Sequence, residues 1–316
     1  MPKFITLTDV HLRITTPVSR TEKDWLSTLL MKVRFAFEMA VQYEANAVLC
    51  SGDLGDEASW SPRAIVQFQK LCQQYPDIAF VTTIGQHDVY GHKIDEWEYT
   101  GIGILASSGA IEVLHAGQST EIDGCTIYGY GFNEPETLGL LAGDPKYAPP
   151  KTPCSIALIH ASIGAEDSFG WKGIQNVQVK NINLCSFGDI HAGFEICKPT
   201  MSDALCYSTG SIARSSASDI GRECQIAYVN IEPGNLEFEI IPVPCAKGDD
   251  AFTQLALAKH YGTDNETGIS EEFASILTTL RNTSDESTKA RLLRIGQELG
   301  YSDDVITLAV NNTEEL

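Results

Sequence analysis

The stretch TDVHL, residues 8–12, follows the short apolar run FITL, residues 4–7, which has the length and composition of a buried strand. Side chains alternate along a strand, so Asp9 and His11 leave its end on the same side. Both can bind a cation. The pair carries chemistry only if distant segments supply partners.

Such partners recur wherever an apolar run ends. NAVLC, residues 46–50, leads into SGDLGD, where Asp53 is flanked by Gly52 and Gly55. IAFVTTIG leads into GQHD, which supplies Gln86, His87 and Asp88. SIALIHAS carries His160, and LCSFGDIH ends in Asp189 and His191. Two helical patterns separate the first three runs. Residues 24–45 place Trp25, Leu26, Leu29, Leu30, Val33 and Phe37 at helical spacing. SPRAIVQFQKLCQQY follows the second run, with Pro62 well placed near a helix start. Thr21, three residues before Asp24, resembles a capping box for the first helix. Alternating strands and helices predict a parallel sheet covered by helices. From TEIDGCTIYGYGF onward, strands with Gly turns dominate and long helical crossovers become scarce, so a second sheet is expected on the first. The segments DDAFTQLALAKHY, SEEFASILTTLRN and ESTKARLLRIGQELG read as helices. The expected fold is α/β: two packed mixed β-sheets flanked by helices over residues 1–248, with 249–316 a small helical appendage.

Composition narrows the setting. The chain has 316 residues, and its hydrophobic fraction of 43% is ordinary for a soluble globular protein with a real core. No apolar run approaches the ~20 residues of a membrane helix, so no membrane association is expected. The N-terminus has no apolar stretch followed by a small-residue cleavage site, so no signal peptide is expected. Nine scattered cysteines, none in Cys-x-x-Cys, fit free thiols in a reducing cytoplasm. The net charge of −20 opposes unaided DNA binding, since a protein that grips DNA alone usually shows a basic face.

In parallel α/β sheets, the carboxyl ends of strands line the ligand crevice. Asp9, His11, Asp53, residues 86–88, His160, Asp189 and His191 would therefore converge, and they include four of the chain's seven histidines. Aspartates and imidazoles together suit Mn²⁺, Fe²⁺ or Zn²⁺, and oxygen-rich sets lean toward Mn²⁺ or Mg²⁺. Two cations about 3.5–4 Å apart activate a water for in-line attack on phosphorus and neutralise the developing charge. Asp53, with glycine neighbours, is the natural bridging carboxylate.

Singly, each motif is a polar strand end or a turn. Their joint order, TDVH…GDLGD…GQHD…LIHAS…GDIH, resembles that of calcineurin-like metallophosphoesterases. The later CYSTGSIARSS is similar to a Tyr-x-x-Gly-Ser segment of SbcD-type DNA-repair nucleases, which carry the same core. The resemblance implies that Asp9, His11 and His191 hold the first metal, Asp53 bridges, and His160 with Gln86 and Asp189 holds the second. It implies that His87 stands unligated beside the phosphate, oriented by Asp88, to protonate the leaving oxygen or stabilise the transition state. Gln86 replaces a usual Asn and Asp189 a usual His, so an altered second metal site is expected. Arg214 is a candidate substrate contact, with a Gly-Ser turn carrying a solvated arginine as the alternative reading. The resemblance also implies DNA as substrate, an SbcC-type ATPase partner, a homodimer through the first two helices, and two divalent ions, Mn²⁺ first. Two other readings stand beside the nuclease. One is a phosphodiesterase or phosphatase for a small phosphorylated molecule, for which an acidic surface is no handicap. The other is a catalytically weakened scaffold.

Overall fold

The run FITL lies inside a fully ladder-bonded strand, β1 (Lys3–Leu7), buried from Phe4 onward. The structure is a computed structural model describing residues 2–246 and 248–261. The further strands are β2 (Ala47–Cys50), β3 (Ala79–Thr83), β4 (Glu112–Leu114), β5 (Ser119–Ile122), β6 (Cys125–Tyr130) and β7 (Ser155–His160). They continue with β8 (Ile163–Gly164), β9 (Lys172–Gly173), β10 (Leu184–Gly188), β11 (Phe194–Cys197), β12 (Leu205–Ser208), β13 (Gln225–Glu232) and β14 (Asn235–Pro242). One six-stranded sheet has the order β14-β13-β1-β2-β3-β4, the other β11-β12-β10-β7-β6-β5, and β8 pairs with β9 apart from both. In the first sheet β1, β2, β3 and β4 run parallel, while β13 and β14 are antiparallel. The centre of the second, β6, β7, β10 and β12, is also parallel, with antiparallel edges at β5 and β11. Two mixed sheets with helices outside are the expected architecture.

The sheets meet through Phe4, Leu49, Val81, Ile127, Ile156, Leu158, Leu184 and Val229, all buried, in one apolar layer. Both faces of the central strands are covered, which is why their sequences are continuous apolar runs and not alternating ones. Helices α1 (Trp25–Tyr43), α2 (Pro62–Gln73) and α3 (Gly101–Ser107) cover the outer face of the first sheet through Leu26, Val33, Phe37, Phe68 and Ile102. The cap of α1 corrects the expectation for Thr21. Asp24 itself is the N-cap and accepts from Ser27 N at 3.1 Å, whereas Thr21 Oγ1 donates to the Asp250 carbonyl. An Asp at the N-cap supplies the acceptor the first turn lacks, so no upstream hydroxyl is needed. For α2, Ser61 caps and Pro62 opens the helix as expected. α4 (Pro135–Leu141) precedes β7.

After β14 come α5 (Gly248–Ala251) and α6 (Gln254–Tyr261). Their first residues lie against the sheet-bearing part of the chain: Ala251, Phe252 and Ala256 pack with Ile220, and the Arg20 guanidinium stacks on the Phe252 ring at 4.4 Å. The expected helices SEEFASILTTLRN and ESTKARLLRIGQELG lie outside the described residues. No helix among the described residues is long and apolar enough to cross a membrane.

Candidate metal centre

Five strand ends deliver the side chains singled out in the sequence to one rim. Asp9 and His11 follow β1, Asp53 follows β2, Gln86, His87 and Asp88 follow β3, His160 ends β7, and Asp189 and His191 follow β10. The backbone there is unusual. Asp9, His11, Asp53 and Asp189 have φ of 51°, 48°, 48° and 88°, in the left-handed region that non-glycine residues rarely adopt. Such turns cost free energy and persist where surrounding contacts over-determine them, which is characteristic of functional sites. Gly85 allows the close approach: a Cβ there would collide with the Asp53 carboxylate and main chain.

Asp53 is the hub. Its Oδ1 accepts from His87 N at 2.8 Å. Its Oδ2 lies 3.3 Å from His160 Nε2, 3.9 Å from His11 Nε2 and 4.0 Å from His87 Nε2. Beside it, His11 Nε2 and His191 Nε2 are 3.0 Å apart, and each stands 3.9 Å from Asp9 Oδ1. Three overlapping groups can thus hold a cation: Asp9 with His11 and His191, Asp9 with Asp53 and His160, and His11 with Asp53 and His87. Asp53 Oδ2 and His160 Nε2 are buried and make no hydrogen bond among the described residues. Orphaned buried polar atoms aimed at one point fit a cation, because leaving them unpaired is costly.

Surrounding groups fix the orientation of this cage. His160 Nδ1 faces the Ser51 carbonyl at 2.7 Å, so Nδ1 carries a proton and Nε2 is the atom presented to Asp53. Thr8 Oγ1 donates to Asp9 Oδ2 at 2.6 Å. Sequence reasoning did not single out Asp56, the last residue of SGDLGD. Its carboxylate stands 3.5 Å from His11 Nδ1 and accepts from Arg13 at 2.6 Å, a carboxylate–histidine pairing that steadies a ligand. The second Asp of that motif was the available signal.

Charge follows from this packing. Burial opposes a charged His160, but the Asp53 carboxylate outweighs it and raises the imidazole to about 10. Burial likewise opposes ionised Asp53, yet His160, His11 and His87 hold it well below the usual carboxylate range. Burial of His11 is outweighed by Asp56, Asp53 and Asp9, and its pKa rises, whereas burial lowers that of His191. The metal-free cage is therefore a buried ion cluster of Asp53 with protonated His160.

Three of the expected site residues make contacts other than those expected of them. Asp88 does not orient the His87 ring. Its buried carboxylate accepts from the backbone N–H of Gly55 at 2.8 Å and Gly85 at 2.9 Å, so it ties the Asp53 loop to the His87 loop. The His87 ring is held instead by the Asp56 carbonyl, 3.1 Å from Nδ1. Burial, with the Asp53 charge, pushes the Asp88 carboxyl up to about 7. Asp189 joins none of the three carboxylate–imidazole groups. Its Oδ1 accepts from Gln86 Nε2 at 2.8 Å and its Oδ2 from Ser162 Oγ, while its backbone N–H donates to Asp9. Arg214 does not reach the rim. It is buried, and its guanidinium donates to the carbonyls of Asp219, Ile220 and Ala246.

The family model for calcineurin-like phosphoesterases matches residues 2–193, the span that holds every residue of the cage. The chain belongs to that family, the metallophosphoesterases, and is a metal-dependent hydrolase by class. No curated protein is significantly similar to it in sequence. Among solved structures it is similar to a dimetal phosphatase from Danio rerio, at 9% identity and a TM-score of 0.47, over 78% of this chain and 99% of that one. It is similar to the protein TT1561 of Thermus thermophilus at 12% identity and a TM-score of 0.46, over 77% of this chain and 99% of that one. Similarity to a 5'-nucleotidase from Candida albicans has 10% identity and a TM-score of 0.41. It covers 84% of this chain but only 54% of that one.

Proposed function

We propose that the protein hydrolyses phosphate esters of small molecules with two divalent cations, one held by Asp9, His11 and His191, the other by His160, and both by Asp53. The observation that carries this reading is Asp53 Oδ2, buried, without a hydrogen bond among the described residues and within 4.0 Å of the Nε2 atoms of His11, His87 and His160. Gln86 would help to hold the second cation with its amide oxygen, since its Nε2 is engaged by Asp189. Two cations bound there supply Lewis acidity toward the phosphoryl oxygens and acidify a water. The oxygen and imidazole donors suit Mn²⁺ first, with Mg²⁺, Fe²⁺ and Zn²⁺ as alternatives.

The chain's own groups then divide the work. The Asp56 carbonyl holds the proton on His87 Nδ1, which presents Nε2 to the cleft. The His87 side chain is 44% exposed, unlike the buried His160, so it can meet substrate. Protonated at Nε2, it donates a hydrogen bond or the proton to the leaving oxygen. Asp88 keeps the two loops at fixed separation, and Thr8 holds Asp9.

A small substrate is favoured over a polymer by the net charge of −20 and by the commitment of Arg214 to main-chain carbonyls. A second reading is an SbcD-type nuclease working with an SbcC-type ATPase that supplies the basic surface. The segment behind that resemblance is seated on the cage, where Ser211 Oγ donates to the Asp9 carbonyl at 2.8 Å. A cytoplasmic setting belongs to both readings, supported by cysteines such as Cys50 and Cys185 that pack as buried thiols. The test is metal analysis followed by parallel assays with Mn²⁺ on p-nitrophenyl phosphate, bis-p-nitrophenyl phosphate and single- and double-stranded DNA. Hydrolysis of the small esters without DNA cleavage is expected. DNA cleavage at comparable or greater efficiency favours the nuclease, and no hydrolysis at full metal occupancy favours a scaffold.

A further inference from the structure

A cavity of about 600 Å³ opens beside the second-cation side of the cage, lined by Phe132, Leu138, Ser162, Ile163 and Trp171 among others. It is continuous with the cage in two ways. Ser162 lines it and also donates to Asp189. Phe132 lines it and sets its ring edge-on to His160, with centroids 6.1 Å apart. The volume lies within the range of small-ligand pockets and exceeds what a phosphate alone needs. Trp171 is fixed by its indole N–H, which donates to the Glu166 carbonyl at 3.2 Å. The loop carrying it is stapled by Asp167, which accepts from Gly173 N at 2.8 Å and from Asn176 at 2.9 Å.

We infer that this cavity receives the organic group of the substrate, and that the group is a planar aromatic ring. The inference rests on the phosphoesterase reading for the position of the phosphate. With phosphorus at the cage, an ester substituent directed past Ser162 enters the cavity that Phe132 and Trp171 line. Phe132 and Trp171, on a wall that mixes Leu138, Leu141, Ile163 and Val177 with polar side chains such as Asn133 and Gln178, favour a ring over a flexible alkyl chain, because ring edges and faces have complementary charge.

Phenethyl phosphate and n-butyl phosphate test this, because their leaving alcohols have similar basicity and differ in the ring. With the Mn²⁺-loaded enzyme, kcat/KM is expected to favour phenethyl phosphate by about tenfold or more, with the difference in KM. Trp171→Ala removes one aromatic wall. Leu138→Trp fills the cavity from a position that is 54% exposed on α4, so the variant should fold. In both variants the preference is expected to fall toward unity. Equal kcat/KM for the two esters in the wild type, or a preference unchanged in both variants, overturns the inference. Calorimetry with phenethylphosphonate and n-butylphosphonate, neither of which is hydrolysed, reads the cavity without turnover. Tighter binding of the aromatic phosphonate, lost in Leu138→Trp, supports the inference even if neither ester is cleaved. That outcome would count against the phosphoesterase reading alone. Equal binding of the two phosphonates overturns the inference.

Discussion

Asp53 Oδ2 and His160 Nε2 face each other at 3.3 Å in a fully buried position, one from the end of β2 and the other from the last residue of β7. The two strands belong to different sheets, so this contact is where the layers meet at the rim. Without a cation it is an ion pair. With cations, the same atoms become ligands, and the proton on His160 Nε2 must leave.

This exchange predicts opposite pH trends for the two forms. His160 is raised from 6.5 to about 10, so its stabilising contribution is full below pH 6.5 and is lost as pH rises through about 10. Asp53 is held below its unfolded value of 3.8, so its contribution is present above 3.8 and is lost as pH falls. The thermal midpoint of the metal-free protein should therefore fall between pH 6 and pH 9. The increase in midpoint on adding Mn²⁺ should grow over the same range. Scanning calorimetry checks both, with His160→Gln as the reference. A fall of equal size in His160→Gln would assign it to other groups.

His87 is exposed enough to meet substrate and is held through Nδ1 by main chain. His87→Ala should lower kcat by about 10²–10⁴, the usual range for a lost general acid. Metal content should stay close to that of the wild type. Loss of a metal in this variant would make His87 a ligand in place of a proton donor.

Gln86 and Asp189 are bonded to each other at 2.8 Å, and this pairing stands where an imidazole is usual in the family resemblance. The double variant Gln86→Asn with Asp189→His should bind the second cation more tightly, by about 10-fold or more in titrations followed by isothermal calorimetry. Outer ligand-orienting groups typically change metal affinity by about 10–100-fold. Weaker binding of the second cation would show that the native pair is itself the better ligand set.

Arg214, buried with main-chain carbonyls as acceptors, is a structural cation. Arg214→Lys should destabilise the fold by about 1–3 kcal/mol, because a lysine cannot fork to the same acceptors. Denaturant unfolding measures this. KM for a chromogenic ester should be unchanged, and a several-fold rise would return Arg214 to the substrate.

The cage was legible in the sequence because each ligand sits directly after an apolar run, and strand polarity alone sends those ends to one rim. Asp9, His11, Asp53, His160 and His191 are placed by that rule. The contacts of Asp88 and Arg214 were not legible, for a different reason. Their partners, the N–H groups of Gly55 and Gly85 for one and the carbonyls of Asp219 and Ile220 for the other, are backbone atoms with no residue-type signal. The cap at Asp24 was misplaced because Thr21 and Asp24 are both good capping residues, and only φ, ψ at the junction decides between them. The aromatic cavity was invisible because Phe132 and Trp171 lie far apart in the chain and come to line one cavity only through the path of the loop after β7.

The central claim is that Asp53 joins two cations in one cage. Metal content per chain, measured by inductively coupled plasma mass spectrometry after Mn²⁺ loading, tests it most directly when wild type and Asp53→Ala are compared, with circular dichroism verifying that both are folded. The prediction is about two ions per chain in the wild type and loss of both in the variant. A folded Asp53→Ala protein that keeps both ions, or a wild type that takes up none, would contradict it.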